Sequence, residues 1–197
     1  DNFNPMEHTL DYDKLSVMDK WILSKLNSTI QTCDSSLENY KIPETAKALQ
    51  EFVDDLSNWY VRRSRERYWA KGMEQDKVNA YMTLYTCLTE IAKAAAPMIP
   101  FMTEEIYQNI VVKVDPSAPE SIHLCDYPKA NEAHVDKELE ADMDLVLKVV
   151  VLGRACRNSG NMKNRQPLAN MFVKAPFTLN EFFKDIIADE LNIKAVT

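Results

Sequence analysis

Glycine is nearly absent from this chain of 197 residues, which has only Gly72, Gly153 and Gly160. Loops that cradle the phosphates of a nucleotide need closely spaced glycines, because the backbone must approach the phosphates without a Cβ in between. The three histidines are scattered, with no carboxylate or cysteine at the spacing of a metal site or a catalytic triad. We therefore expect no catalytic residue, no metal site and no bound cofactor in this chain.

Closely spaced cysteines and long apolar runs are missing as well. The four cysteines include no Cys-x-x-Cys pair, which argues against a zinc site or a compact disulfide framework and predicts a reduced, cytoplasmic protein. No apolar run approaches the roughly 20 residues that span a bilayer, so we expect no membrane partner. The first residues carry no signal sequence and no initiator Met, which we interpret as a cut within a longer polypeptide.

Positive charge is in deficit, since 30 acidic residues outweigh 23 basic ones and give a formal net charge of −7. Non-specific binding of nucleic acid depends on neutralising phosphates, so we do not expect a DNA-binding protein. An acidic protein with a local basic patch can still bind RNA at one place. The arginines of this chain are confined to two groups of the sequence. These are Arg62, Arg63, Arg65 and Arg67, and then Arg154, Arg157 and Arg165.

Helical periodicity is what the chain does contain. Apolar residues recur at steps of three and four in segments that begin near residues 16, 43, 74, 101 and 136, which predicts a bundle of four to five helices over residues 16–160. Residues 1–15 are predicted to form a linker. After Pro167, apolar segments at 171–173 and 193–196 flank a helical pattern at 179–191, which predicts a truncated α+β module over residues 161–197. The predicted fold class is therefore mainly α with a partial C-terminal α+β appendage.

Two of the predicted helices become basic toward their C-terminal ends. An unpaired guanidinium is costly to bury, so the bundle should end or open there and meet something anionic. Cations at a helix C-terminus complement its dipole, but this explains one arginine per helix better than a cluster. In the second helix the inward stripe is predicted to run through Ala46, Leu49, Val53, Leu56 and Tyr60 and to continue to Arg63 and Arg67.

Residues 58–69 combine four arginines with four aromatic rings. A guanidinium suits phosphate because its planar fork donates two parallel hydrogen bonds, and aromatic faces suit the unstacked bases of single-stranded RNA. The Asn-Trp-Tyr-Val-Arg-Arg-Ser-Arg run that opens this segment closely resembles a signature of isoleucyl-tRNA synthetases. Four further segments resemble that family in the same order, at residues 19–27, 96–107, 121–128 and 164–168.

This resemblance implies the tRNA anticodon-binding domain of an isoleucyl-tRNA synthetase. It implies two partners, isoleucine tRNA and the catalytic core of the same polypeptide, and it implies that ATP and magnesium serve that core. The His-x-Gly-His and Lys-Met-Ser-Lys-Ser motifs of such a core are absent from this chain. We expect contacts to tRNA or to the core from Trp59, Arg62, Arg63, Arg65, Arg67, Trp69, Arg154, Arg157, Lys163, Arg165 and Gln166.

Three alternatives remain open. The equivalent domain of a valyl- or leucyl-tRNA synthetase shares the proline-containing junction at residues 96–107 but typically lacks the arginine-rich run. A helical protein-interaction scaffold without RNA binding would use the same surface for another protein. A stand-alone enzyme is a third possibility, for which the chain offers no catalytic constellation.

Overall fold

The computed structural model describes residues 3–174 and 180–197, which divide into two compact units. The first unit ends at Val135 and the second begins at Asp136. The sequence predicted a division after residue 160, because the helix that follows Asp136 has the periodicity of a bundle helix. In the structure that helix, Lys137–Ser159, packs against the helix Glu181–Leu191 of the second unit.

The first unit is built around helix α1, Val17–Glu38, which packs against the helices Ile42–Asp55 and Gln75–Ala95. Helix α1 begins with a capping box, in which the Ser16 hydroxyl accepts from the Asp19 N–H and the Asp19 carboxylate accepts from the Ser16 N–H. Residues on nearly every side of α1 are buried, among them Trp21, Ile22 and Leu23. This helix therefore forms the centre of the core.

Helix α2, Ile42–Asp55, continues through a wide π-helical turn, Leu56–Val61, into the short helix α3, Arg65–Trp69. The predicted stripe is confirmed at Leu49, Leu56 and Tyr60, which are buried. It is wrong at Ala46 and Val53, which are exposed. The neighbouring Thr45 and Phe52 point inward instead, and both of the exposed residues line an open apolar groove of about 470 Å³.

The π-helical turn determines which residues continue the buried stripe of α2. A π turn holds more residues than an α turn, and the inward positions within it and just after it fall four residues apart, at Leu56, Tyr60 and Ser64. Ser64 is 2% exposed and occupies the inward place that the sequence predicted for Arg63. A π turn inside a helix is rare and frequently lies at a functional site.

Helix α4, Gln75–Ala95, and helix α5, Pro100–Tyr107, complete the first unit. The long connection after α5 packs back onto it, with Ile122 in a buried cluster beside Tyr107. In the structure the Glu104 carboxylate accepts hydrogen bonds from the Ser121 hydroxyl and from the Ile122 N–H, and so holds this connection in place.

The second unit contains helix α6, Lys137–Ser159, strand β1, Leu168–Met171, helix α7, Glu181–Leu191, and strand β2, Ile193–Val196. The strands are parallel, with Leu168 opposite Ile193, and the first strand begins three residues before its predicted position. The predicted start of α7 at Leu179 lies outside the described residues. The mainly α fold with a small α+β appendage is confirmed. Within residues 3–174 and 180–197, no helix is long and apolar enough to cross a membrane.

Candidate nucleic-acid interface

A buried ion pair anchors the arginine-rich segment to the core of the first unit. The Arg67 guanidinium donates to both carboxylate oxygens of Asp19, with Nη1 2.7 Å from Oδ1 and Nη2 2.8 Å from Oδ2. The same guanidinium donates from Nε and Nη2 to the Asp76 carboxylate, at 2.9 Å in both cases. Asp19 lies near the start of α1 and Asp76 near the start of α4, so one arginine joins the beginnings of two helices to α3.

The Asp19 carboxylate has no exposed surface and also accepts a hydrogen bond of 2.6 Å from the Tyr60 hydroxyl. Burial by itself would raise the pKa of Asp19, but the hydrogen bonds from Arg67 and Tyr60 outweigh it and hold the pKa below its usual value of 3.8. Burial acts first on Tyr60 as well, and together with the Asp19 charge it raises the pKa of that phenol. The carboxylate is therefore charged and Tyr60 neutral near pH 7.

Arg67 is thus engaged inside the first unit, which differs from the predicted contact with RNA or with another domain. Its charge is matched by two carboxylates, and a buried pair of this kind needs both partners. Tyr60 is fully buried, as its place in the stripe predicted, and Arg63 is half-buried. The ion pair therefore attaches the arginine-rich segment to the core of the first unit.

Two arginine–tryptophan pairs lie on the surface of this anchored segment. The Arg65 guanidinium is 4.8 Å from the centre of the Trp69 ring, and the Arg62 guanidinium is 5.5 Å from the centre of the Trp59 ring. Trp69 is 72% exposed, although an indole ring is largely apolar. Exposed aromatic rings beside guanidinium groups are suited to stack on unpaired bases and to contact phosphates.

An open cleft of about 570 Å³ borders Trp69, and Lys71, Gly72, Lys77 and Tyr81 contribute to its walls. The backbone turns at Gly72, where φ is +79°. This conformation favours glycine, because glycine has no Cβ. Lys77 is only 4% exposed, and its Nζ donates to the Ala70 carbonyl at 2.7 Å. Lys71 and Lys77 were not among the predicted site residues. Nothing in their spacing marks them, because they come together only when the turn after α3 meets α4.

The arginines of the second unit have two different environments. The Arg154 guanidinium forms a 2.8 Å ion pair with Glu190 of α7, and its side chain is 43% exposed. Arg157 is 2% exposed, and its Nη atoms donate to the carbonyl oxygens of Lys163, Gln166, Leu191 and Asn192. A contact to tRNA or to the catalytic core was predicted for Arg157, and its burial gives it a role inside the second unit instead.

The remaining predicted residues of the second unit lie in the turn after α6. Lys163, Arg165 and Gln166 are exposed there. The structure therefore presents two sets of exposed cations, one in each unit, with aromatic rings beside the first. Asp19 and Asp76, which anchor the arginine-rich segment, were not among the predicted site residues. Among the residues that the structure describes, no cluster of His, Cys, Asp or Glu could hold a metal ion.

The comparison with known proteins agrees with these features. A family model described as the anticodon-binding domain of tRNA ligase matches residues 19–172. An isoleucine–tRNA ligase of Clostridium novyi (strain NT) is 55% identical over 196 residues, and one of Clostridium tetani (strain Massachusetts / E88) is 52% identical. One of Dehalococcoides mccartyi (strain CBDB1) is 42% identical over 200 residues. Each match covers 100% of this chain but only 19% or 20% of the relative, so the chain spans about a fifth of the length of these curated relatives.

Proposed function

Since the chain belongs to the family of anticodon-binding domains of tRNA ligases, we propose that it binds and positions isoleucine tRNA for an isoleucine–tRNA ligase. The observation that carries the proposal is the anchored segment with its exposed Arg65–Trp69 pair. Isoleucine as the amino acid follows from the names of the relatives. In this proposal the ATP- and magnesium-dependent joining of isoleucine to tRNA takes place in the catalytic core, outside this chain, and the enzyme works in the cytoplasm.

The two sets of cations have different tasks in this proposal. Contacts to phosphate fix the register of the RNA, whereas contacts to bases identify it. We assign phosphate contacts to Arg62 and Arg65 in the first unit and to Lys163 and Arg165 in the second. Trp69 is the residue to which we assign stacking on an unpaired base. The acidic remainder of the chain repels phosphate elsewhere and so limits binding to these surfaces.

A substitution of Trp69 tests the stacking assignment. Loss of one stacked base costs about 1 to 3 kcal/mol of binding free energy, so Trp69→Ala should weaken binding of isoleucine tRNA by roughly five- to 150-fold. Phe101→Ala is the matched control, because Phe101 is also an exposed ring of the first unit, at 91%, and lies outside the proposed surface. Equal affinities of the two variants would contradict the assignment of Trp69.

The choice of tRNA is tested by titrating the 197-residue chain with isoleucine, valine and methionine tRNAs at low and physiological salt. A preference for isoleucine tRNA that survives the higher salt supports base recognition, because phosphate contacts are lost as salt rises. A preference for valine tRNA supports the alternative synthetase. Absence of binding to every tRNA at low salt contradicts the proposal and supports the protein-interaction scaffold.

A further inference from the structure

We infer that Arg157 is a positioning residue for tRNA binding, which acts through the backbone of the cationic turn at residues 163–166. The inference rests on the proposed function, because it concerns how the turn with Lys163 and Arg165 meets RNA. Arg157 itself is 2% exposed, so its guanidinium does not reach a ligand outside the second unit. Its influence on RNA therefore has to pass through the atoms that it holds.

Arg157 holds the turn through the backbone carbonyl oxygens of the turn. Arg157 donates from Nη1 to the Lys163 carbonyl and from Nη2 to the Gln166 carbonyl, at 2.9 Å each. The Gln166 N–H donates back to the Lys163 carbonyl at 2.9 Å and closes the turn. The Asn164 carbonyl accepts at 3.3 Å from the side-chain amide of Asn192. The carbonyls of Lys163, Asn164 and Gln166 are thus directed inward, while the side chains of Lys163, Arg165 and Gln166 stay exposed.

The same guanidinium joins the turn to the end of α7. Its Nη2 donates to the Leu191 carbonyl at 2.6 Å and to the Asn192 carbonyl at 3.2 Å, where α7 ends and β2 begins. Asn192 has φ of +50°, and its carbonyl also accepts from the Leu168 N–H at the start of β1. One buried side chain therefore connects α6, the turn, the end of α7 and the strand pair.

Arginine suits this position better than any other cation. Its planar fork carries five donors in a fixed arrangement, whereas the lysine ammonium offers three donors at one point on a flexible stem. A buried cation must also keep its hydrogen bonds, because desolvation without them is costly. Arg157→Lys therefore keeps the charge but cannot hold the Lys163 carbonyl, which accepts from Nη1, together with the carbonyls that accept from Nη2. We expect the turn to loosen while the helices of the second unit remain folded.

A double-mutant cycle on the 197-residue chain separates positioning from a general loss of structure. Its sides are Arg157→Lys and the paired substitution Lys163→Ala/Arg165→Ala, and the readout is the affinity for an isoleucine tRNA transcript over a series of KCl concentrations. The paired substitution should lower the salt slope by about 1.4 to 1.8, which is twice the value for one phosphate contact. Arg157→Lys should weaken binding on the order of threefold to tenfold, because two cations are displaced from their phosphates.

The inference is decided by whether the effect of Arg157→Lys on affinity depends on the presence of Lys163 and Arg165. If Arg157 acts through the turn, Arg157→Lys has no further effect once Lys163 and Arg165 have been replaced. An equal loss in both backgrounds, or an unchanged affinity in the original chain, overturns the inference. Hydrogen exchange supplies an independent readout, because the Gln166 amide should lose protection in Arg157→Lys while the amides of α6 keep theirs.

Two further variants keep the result interpretable. Asn192→Gly retains access to a positive φ but removes the donor to the Asn164 carbonyl, so it should weaken binding in the same direction if Arg157→Lys fails to fold. An unchanged affinity of Asn192→Gly would then overturn the inference. Trp69→Ala reports on the proposed function by itself. If Trp69→Ala weakens binding but the paired substitution does not, the inference falls while the proposed function stands. If neither variant weakens binding, both fall.

Discussion

The substitution Asp19→Asn should destabilise the first unit strongly, because it removes the charge opposite Arg67 at a fully buried position. Asparagine keeps the shape of the side chain, but its amide nitrogen is a donor and would meet donors from Arg67, Tyr60 or Ser16. Breaking a buried pair by removal of one partner costs about 3 to 5 kcal/mol. Arg67 retains Asp76, so we expect the lower end, about 3 kcal/mol.

The assay is urea unfolding followed by tryptophan fluorescence. Trp21, Trp59 and Trp69 are the three tryptophans of the chain and all lie in the first unit, so the signal reports on that unit. Because the free energy of unfolding falls by about 1 to 3 kcal/mol per molar urea, the urea midpoint of Asp19→Asn should fall by roughly 1 to 3 M. Asp76→Asn is the matched control. Its carboxylate binds the same guanidinium but is 65% exposed, so we expect at most about 1 kcal/mol.

At acid pH, the difference in urea unfolding midpoint between the original chain and Asp19→Asn should become smaller. Because the pKa of Asp19 is lowered in the folded state, its contribution is fully present above the ordinary value of 3.8 and is lost as the pH falls through the lower folded value. The two midpoints should therefore converge below about pH 3.8. Equal midpoints of Asp19→Asn and Asp76→Asn at pH 7 would refute the role of the buried pair, as would a difference that grows in acid.

Three other perturbations test the packing. Leu56→Ala should cost about 2 to 5 kcal/mol because this side chain is 5% exposed, whereas Val53→Ala, at 49% exposure, should cost less than about 1 kcal/mol, and similar urea midpoints would contradict the register of α2. Gly153→Ala places a Cβ against the Leu191 side chain, so hydrogen exchange in α7 should become faster by an amount equivalent to about 1 kcal/mol, and unchanged exchange would contradict the close approach of α6 and α7. Cys156 is exposed and should react with a thiol reagent before the other three cysteines, an order that mass spectrometry can check.

Much of the fold followed from the order of residues along the chain. The steps of three and four placed the helices, the Ser16–Asp19 pair marked the start of α1, and the arginine-rich run pointed to the family that the comparison then identified. These features are local, since a helix, its cap and a short signature each involve residues within a few turns. The α+β pattern after Pro167 was visible for the same reason.

The roles of individual arginines depended on the tertiary structure. Arg65 and Arg67 are two residues apart in the same short helix, yet one lies over an exposed tryptophan and the other is bound between two carboxylates. The π-helical turn after α2 shifts the inward positions by one residue, and no apolar spacing signals that shift. Which guanidinium is buried depends on what packs against it from distant parts of the chain.

The sequence by itself determined the helical character, the family and the place of the basic segments, because these depend on composition and on neighbours along the chain. Only the tertiary structure decided that Asp19 binds Arg67 across 48 residues, and that the Leu191 carbonyl accepts from Arg157 across 34. Such pairs carry no periodic signal, because a hydrogen bond between distant residues requires only that folding bring a donor and an acceptor together. The same contacts divide the arginines into those that hold the protein together and those that remain exposed on its surface.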